Sequence, residues 1–242
     1  MSLGIKGKIT LVTGANRGIG KAIVESFIKH GAAKVYLAVR DIKKTDALVA
    51  EYGNKVVPIY VDLSKPESIA ELSSVATDVQ IVVNNAGVLT VTGLLDENVE
   101  EALQFELNIN AFGLLHMARA FTPILEKNGD SAIVQINSVA SLKNVSFIST
   151  YSISKAASYS ITQGLKETLA DKGIMVLSVH PGPIATDMAN DAGIADSAEP
   201  ASLVSEGIVE ALKKGVFHLF PDSRAKEFGA AYQSFAENVI EP

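Results

Sequence analysis

The chain has 242 residues, enough for one sizeable α/β core, and 48% of them are hydrophobic, which excludes a disordered chain. A net charge of −6 leaves no basic footprint for nucleic acid. The absence of cysteine excludes disulfides, thiolate metal sites and cysteine nucleophiles. His30, His116, His180 and His218 are scattered singly, so no metal site is expected. No apolar run approaches the roughly 18 residues of a membrane span. The opening stretch runs straight into a glycine turn and does not read as a secretory leader. The chain is therefore expected to be soluble and cytoplasmic, with neither membrane nor nucleic-acid partners.

In chain order, Ile9 to Thr13 is a short apolar run that predicts a buried strand. The Gly-rich turn Gly14-Ala-Asn-Arg-Gly18-Ile-Gly20 follows. A helical pattern with Ile19, Ile23 and Phe27 on one face then runs to Gly31. Lys34 to Val39 predicts a second strand, Asp41 to Tyr52 a helix, and Val56 to Asp62 a third strand. Pro66 suits the first turn of the next helix. Ile81 to Asn84 predicts a fourth strand, Asp96 to Leu125 one long helix, and Ala132 to Asn137 a fifth strand. Tyr151 to Lys172 predicts a helix and Ile174 to Val179 a sixth strand, which His180-Pro-Gly-Pro183 breaks. Glu199 to Lys214 predicts a helix, Val216 to Phe220 a last strand, and Ala225 to Asn238 a helical tail.

Strands alternate with helices throughout, with no linker or repeat. The expectation is a single domain of three-layer α/β/α type: a Rossmann-type doubly wound parallel sheet of about seven strands, with helices on both faces. In such sheets ligands sit beyond the carboxyl ends of the strands. The Gly-rich turn occupies such an end. There it could bring backbone and a helix N-terminus to a pyrophosphate, or simply join strand to helix. Tyr151 and Lys155 are four residues apart and share a helix face. A phenol near pKa ~10 is a poor acid at neutral pH, and a cation one turn away is expected to pull that value down. Such a pair suits proton donation to a carbonyl undergoing reduction, and taken alone it is equally a surface Tyr and Lys on an amphipathic helix.

Together these segments resemble the short-chain dehydrogenase/reductase family, and within it the carbonyl reductase group. Thr13-Gly-Ala-Asn-Arg-Gly18-Ile-Gly20 is similar to the family's cofactor turn, and Asn84-Asn-Ala-Gly87 to its NNAG motif. Asn110, Ser138, Tyr151 and Lys155 are similar to its catalytic set, and Pro181-Gly-Pro-Ile-Ala-Thr186 to its PG-x-x-x-T segment. The resemblance implies that Tyr151 gives its proton to the carbonyl oxygen and that Ser138 shares the developing charge. It implies that Lys155 lowers the tyrosine pKa and holds the nicotinamide ribose. Asn110 would hold a water that links Lys155 to solvent. Implied cofactor contacts come from Gly14, Asn16, Arg17, Gly18, Ile19 and Gly20 in the turn. Others come from Asp62 and Leu63 at the adenine, from Asn85, Ala86 and Gly87 along the cleft, and from Pro181, Gly182, Ile184 and Thr186 near the carboxamide.

NAD-dependent relatives place an acid at the end of the second strand for the ribose 2′-hydroxyl. Here Val39 and Arg40 stand there, and Arg17 lies in the turn. Two guanidinium groups and no carboxylate suit a 2′-phosphate, so the expected cofactor is NADPH/NADP+. The expected substrate is a small carbonyl compound. A lid at about 183–200, bearing Met188 and Ile194, and loops bearing Leu89, Val91, Val139, Leu142, Val145, Phe147 and Ile148 would favour uncharged ketones. Alternatives are a 3-oxoacyl thioester substrate or a dinucleotide-binding regulator without turnover. The chain lacks the Gly-Gly ending common in acyl-carrier-protein ketoreductases of the family. By resemblance a homodimer or homotetramer is expected through the two long helices, with Phe112, Leu115, Ile161 and Leu165 supplying apolar surface.

Overall fold

The structure, a computed structural model, describes residues 2–240. Seven strands form one parallel sheet in the order β3-β2-β1-β4-β5-β6-β7. They are β1 (Ile9–Thr13), β2 (Lys34–Val39), β3 (Val56–Tyr60), β4 (Ile81–Asn84), β5 (Ser131–Ile136), β6 (Ile174–Val179) and β7 (His218–Leu219). The strand order reverses between β1 and β4, so a crevice opens beyond their carboxyl ends. Apolar side chains leave both faces because successive residues on a strand point in opposite directions. On β2, Val35, Leu37 and Val39 join the core on one face, and Tyr36 and Ala38 join the core on the other.

Helices cover both faces, as the alternating pattern requires. On the first lie α1 (Gly18–Lys29), α2 (Asp46–Tyr52) and α8 (Ala201–Lys214), represented in the core by Phe27, Leu48 and Ile208. On the second lie α3 (Pro66–Val75), α5 (Gly113–Asn128) and α6 (Ser149–Ala170), represented by Leu72, Phe121 and Leu169. The remaining helices are α4 (Val99–Glu106), α7 (Asp187–Asp191) and α9 (Ser223–Phe235).

Four departures from the sequence expectations have physical causes. The long helix expected over Asp96–Leu125 is split into α4 and α5 by a π-helical stretch, Leu107–Phe112, which carries Asn110. Such bulges leave the regular ladder locally rearranged and cluster at functional sites. The helix expected from Asp41 begins as a tight 3₁₀ turn, Ile42–Thr45, because the Asp41 carboxylate accepts from Lys43 N at 3.1 Å. The helix expected from Ala225 begins at Ser223, because Asp222 caps it and accepts from Ala225 N at 2.9 Å. The third strand stops at Tyr60, and Asp62 closes a local turn by accepting from Ser64 N at 3.0 Å.

Helix α1 approaches β1 closely enough that only glycine fits at its third position. A Cβ at Gly20 would lie 2.2 Å from the carbonyl oxygen of Gly14, a backbone atom that cannot rotate away. Gly14 and Gly18 have φ of 65° and 51°, the left-handed region that glycine enters at no steric penalty. We expect Gly20→Ala to destabilise the fold by about 3 kcal/mol, the upper end of overpacking effects. The urea unfolding midpoint checks this, and an unchanged midpoint would show that the turn is not tightly packed.

Candidate active site

The crevice is assembled at the strand ends by short hydrogen bonds. The Thr13 hydroxyl, at the end of β1, accepts from Asn85 N and Ala86 N, each at 3.0 Å. Asn85 Nδ2 returns a bond to Thr13 O at 2.9 Å. Thus the Gly-rich turn and the loop after β4 are one rigid unit at the point where strand order reverses. Sequence reasoning quoted Thr13 as part of a motif but gave it no role. Its hydroxyl is the joint.

Asn110, on the π-helical stretch, braces the same loop. Its Oδ1 accepts from Val88 N, while its Nδ2 donates to Val88 O and Ser154 Oγ, all at 2.9 Å. Both amide hydrogens therefore have protein partners. One turn earlier, Glu106 accepts from Thr90 N at 2.6 Å. Burial raises the Glu106 carboxyl above the usual carboxylate range, against the opposing effect of the Thr150 hydroxyl and of the bond from Thr90. Nothing in the local sequence marked Glu106. Its i, i+4 spacing from Asn110 is the only signal that both reach one loop.

Tyr151 and Lys155 lie on α6 and are both buried. The Lys155 Nζ donates to Ile136 O, at the end of β5, at 2.8 Å. It lies 5.7 Å from the Tyr151 ring centre. A Cβ at Gly87 would be 3.0 Å from Asn110 Oδ1 and 3.5 Å from Lys155 Nζ, so Gly87, Asn110 and Lys155 meet at one spot. Ser138 follows β5, and its hydroxyl accepts from Ala140 N at 3.1 Å. That hydroxyl also acts to lower the pKa of the Tyr151 phenol, and the four residues read as catalytic come together beyond β4 and β5. Ala140, Ile148, Leu89 and Val145 pack around Tyr151 as an apolar collar.

Burial overturns one electrostatic expectation. The cation one turn away was expected to lower the phenol, yet burial pushes Tyr151 up to about 12. The Ser138 hydroxyl opposes this rise and the Glu106 carboxylate adds to it. The same burial brings Lys155 down to about 8. Desolvation disfavours whichever form is charged, so it separates the two groups' charged states instead of pairing them.

His180, just beyond β6, is also buried, and burial brings it down to about 3, with His218 adding to the effect. Its Nδ1 lies 3.2 Å from Ser138 O and its Nε2 2.7 Å from Ser178 Oγ. Ser141 Oγ lies nearer to Nδ1, at 3.0 Å, and itself donates to Ser138 O, so the ring proton on Nδ1 completes the pattern and the neutral imidazole helps hold the Ser138 backbone. This is the structural histidine that its isolation in sequence suggested.

The expected cofactor residues all follow the carboxyl ends of strands. Gly14, Asn16, Arg17, Gly18, Ile19 and Gly20 lie at the α1 N-terminus, where no side chain caps the helix. Asn85, Ala86 and Gly87 follow β4, and Leu63 packs in the second-face core. Arg40 is exposed at the end of β2. Nearby, the Asp62 carboxyl is held below its usual range, chiefly by the Ser64 hydroxyl, with smaller help from Lys65 and Arg40. Pro181, Gly182, Ile184 and Thr186 follow β6, and Gly182 N donates to Asp222 at 2.8 Å. Arg17 makes a contact that sequence did not suggest: its Nη1 donates to Asp187 at 2.7 Å. The segment 183–200 forms a loop closed at its neck, where Ala185 N donates to Glu199 O at 2.9 Å and Glu199 N to Pro183 O at 3.0 Å. Leu142 lines an open cleft of about 350 Å³ with Arg224, Glu227, Phe228, Ala231 and Tyr232. Among the described residues no cluster of acids and histidines could hold a metal, and no helix is long and apolar enough to cross a membrane.

A sheet of this order, with a Gly-rich turn after β1 and a Ser–Tyr–Lys set beyond β5, defines a nucleotide-dependent oxidoreductase architecture. The profile of the short chain dehydrogenase family matches residues 8–196, and the chain belongs to that family of oxidoreductases. A Staphylococcus aureus protein described as an uncharacterized oxidoreductase is 34% identical over 186 residues, 74% of this chain and 79% of its own. A Staphylococcus epidermidis protein of the same description is 29% identical over 212 residues, 86% of this chain and 90% of its own. A Burkholderia cenocepacia short chain dehydrogenase, solved in complex with NADP, superposes with a TM-score of 0.88 at 31% identity. The match covers 99% of this chain and 100% of that one.

The buried imidazole carries a pH prediction. Between pH 6.5 and about 3 the unfolded chain binds a proton at His180 that the folded chain refuses. Stability therefore falls as pH falls through that window. His180→Asn should remove this part of the acid dependence, so its urea midpoints should decline less steeply with acid than those of the wild type. Equal slopes would mean that His180 is not held neutral.

Proposed function

We propose that this chain is an NADPH-dependent carbonyl reductase that converts ketones or aldehydes to alcohols, with residues 1–242 acting as a single dinucleotide-binding and catalytic domain. The observation that carries this reading is the convergence of Ser138, Tyr151, Lys155 and Asn110 beyond the strand ends, beside a turn whose Gly20 no larger residue can replace. The close approach at Gly20, the left-handed Gly14 and Gly18 and the uncapped α1 N-terminus fit a dinucleotide pyrophosphate. Arg40 and Arg17 would hold the 2′-phosphate, Asp62 the adenine, and Lys155 the nicotinamide ribose. Thr186 and the backbone near Ile184 would hold the carboxamide. The solved NADP complex of the Burkholderia cenocepacia relative supports this choice.

When bound, the nicotinamide supplies a hydride to the carbonyl carbon. Tyr151 donates its proton to the carbonyl oxygen, and Ser138 hydrogen-bonds that oxygen and shares its developing charge. A phenol near 12 is protonated throughout the neutral range, which suits a donor in the reductive direction. Lys155, charged below about 8, then stabilises the phenolate left behind. Both amide hydrogens of Asn110 are engaged, so a relay water would meet its backbone carbonyl or the second lone pair of Oδ1. The apolar collar around Tyr151 favours uncharged apolar or aryl ketones and α-dicarbonyls. Segment 183–200 serves as a substrate lid. Two-fold assembly would use α5 and α6, with Phe112 exposed at the end of the π-helical stretch that leads into α5.

NADPH oxidation across a panel of ketones, aldehydes, ketoacyl thioesters, quinones and 2-keto acids tests the reading. Apolar ketones should be the best substrates, and a preference for 2-keto acids would contradict it. Tyr151→Phe keeps the ring and should lose about 10²–10⁴-fold in kcat while retaining cofactor affinity.

For reduction, kcat/KM should fall as pH rises through about 8, where Lys155 loses its charge. A flat profile to pH 10 would remove Lys155 from that role.

NADPH should exceed NADH by at least roughly tenfold in kcat/KM, because one charge-assisted hydrogen bond is worth about 1.5–3 kcal/mol. Arg40→Ala should erode NADPH use far more than NADH use. Equal efficiency in the wild type would refute the NADPH assignment and leave the proton-donor assignment standing.

A further inference from the structure

We propose that Asp187 sets how strongly this chain prefers a 2′-phosphorylated dinucleotide, by competing with the 2′-phosphate for the Arg17 guanidinium. The inference rests on the reading of Arg17 as a phosphate ligand. Arg17 stands at the N-cap of α1 in the Gly-rich turn, and Asp187 is the first residue of α7 at the base of segment 183–200. Far apart in sequence, they meet through a 2.7 Å bond from Arg17 Nη1 to Asp187 Oδ2.

The acid is held where it is. A Cβ on Gly18 would lie 2.9 Å from the Thr186 methyl, so turn and loop touch beside the pair. Thr186 caps α7 by accepting from Ala189 N at 3.3 Å. The loop neck is closed by the two bonds between Glu199 and residues 183 and 185. Asp187 therefore presents its carboxylate to Arg17 from a fixed base.

A carboxylate and a phosphate ask the same geometry of a guanidinium. They cannot share it freely, because the phosphate carries about −1.5 to −2 and would lie beside a second anion. The Arg17 and Asp187 side chains are 68% and 61% exposed, so their pair is well solvated and weak enough for a phosphate to displace. A dinucleotide without the 2′-phosphate leaves the pair intact, whereas one with it must first break the pair. Asp187 therefore lowers the discrimination between the two cofactors.

Calorimetric dissociation constants for NADP+ and NAD+ test this on the wild type, Asp187→Asn, Arg17→Ala and the double variant. Asp187→Asn should tighten NADP+ by about two- to fivefold, the range set by an exposed ion pair, and leave NAD+ unchanged. In the Arg17→Ala background the same substitution should leave the NADP+/NAD+ ratio unchanged. If Arg17→Ala lowers the ratio but Asp187→Asn does not raise it, the competition is refuted while the phosphate reading stands. If Asp187→Asn raises the ratio equally in both backgrounds, Asp187 acts through its own field and the competition is again refuted. If Arg17→Ala leaves the ratio untouched, the reading of Arg17 fails and the proposal fails with it.

Discussion

The Lys155 ammonium is taken out of water and given one carbonyl partner, Ile136 O, at 2.8 Å. An ammonium so placed is expensive unless neighbouring dipoles hold it, and its titration near 8 expresses that tension. The rest of the site is arranged around this constraint. Helix α6 must bring Lys155 under the end of β5. The loop after β4 must approach closely, which Gly87 permits. Asn110 must fix that loop without placing a carboxylate against the cation. A buried amide with its hydrogens engaged does this at no charge.

The same scarcity of water governs the proton. Burial holds the Tyr151 phenol protonated, and Glu106, the buried acid that acts on it, is itself pushed toward its neutral form. His180 is kept neutral beside Ser138. Around Tyr151 and Ser138 the protein offers hydroxyls, amides and one cation, and the nearby ionisable groups are driven toward neutrality. Preorganised donors in a dry site stabilise developing charge more than solvent does, since they need no reorganisation when it appears.

Much of this was legible in the chain. The seven strands and their parallel order follow from alternating apolar runs and helical patterns, and the glycines of the first turn announce a close backbone approach. Tyr151 and Lys155 share a face of a helix that periodicity locates and Ser138 follows a strand that it locates, whereas Asn110 lay inside an expected helix and was marked only by resemblance to the family's motifs. What stayed hidden depends on residues remote in sequence. The direction of the tyrosine shift is set by burial among Ile148, Val145 and Leu89, and four-residue spacing to a lysine carries no measure of burial. The π-helical stretch keeps helical apolar spacing on both sides, so the apolar pattern does not betray it. The Arg17–Asp187 contact exists only because β1 and β6 bring their following loops to one crevice.

The central claim is that this site delivers hydride and proton to the two ends of one carbonyl group. The most direct test is turnover of an aryl ketone with NADPH deuterated at the transferable C4 position, followed by mass spectrometry and NMR of the alcohol. The account predicts one deuterium on the carbinol carbon, and its transfer rate should collapse in Tyr151→Phe. An alcohol without deuterium, or a Tyr151→Phe variant that transfers it at the wild-type rate, would contradict the account.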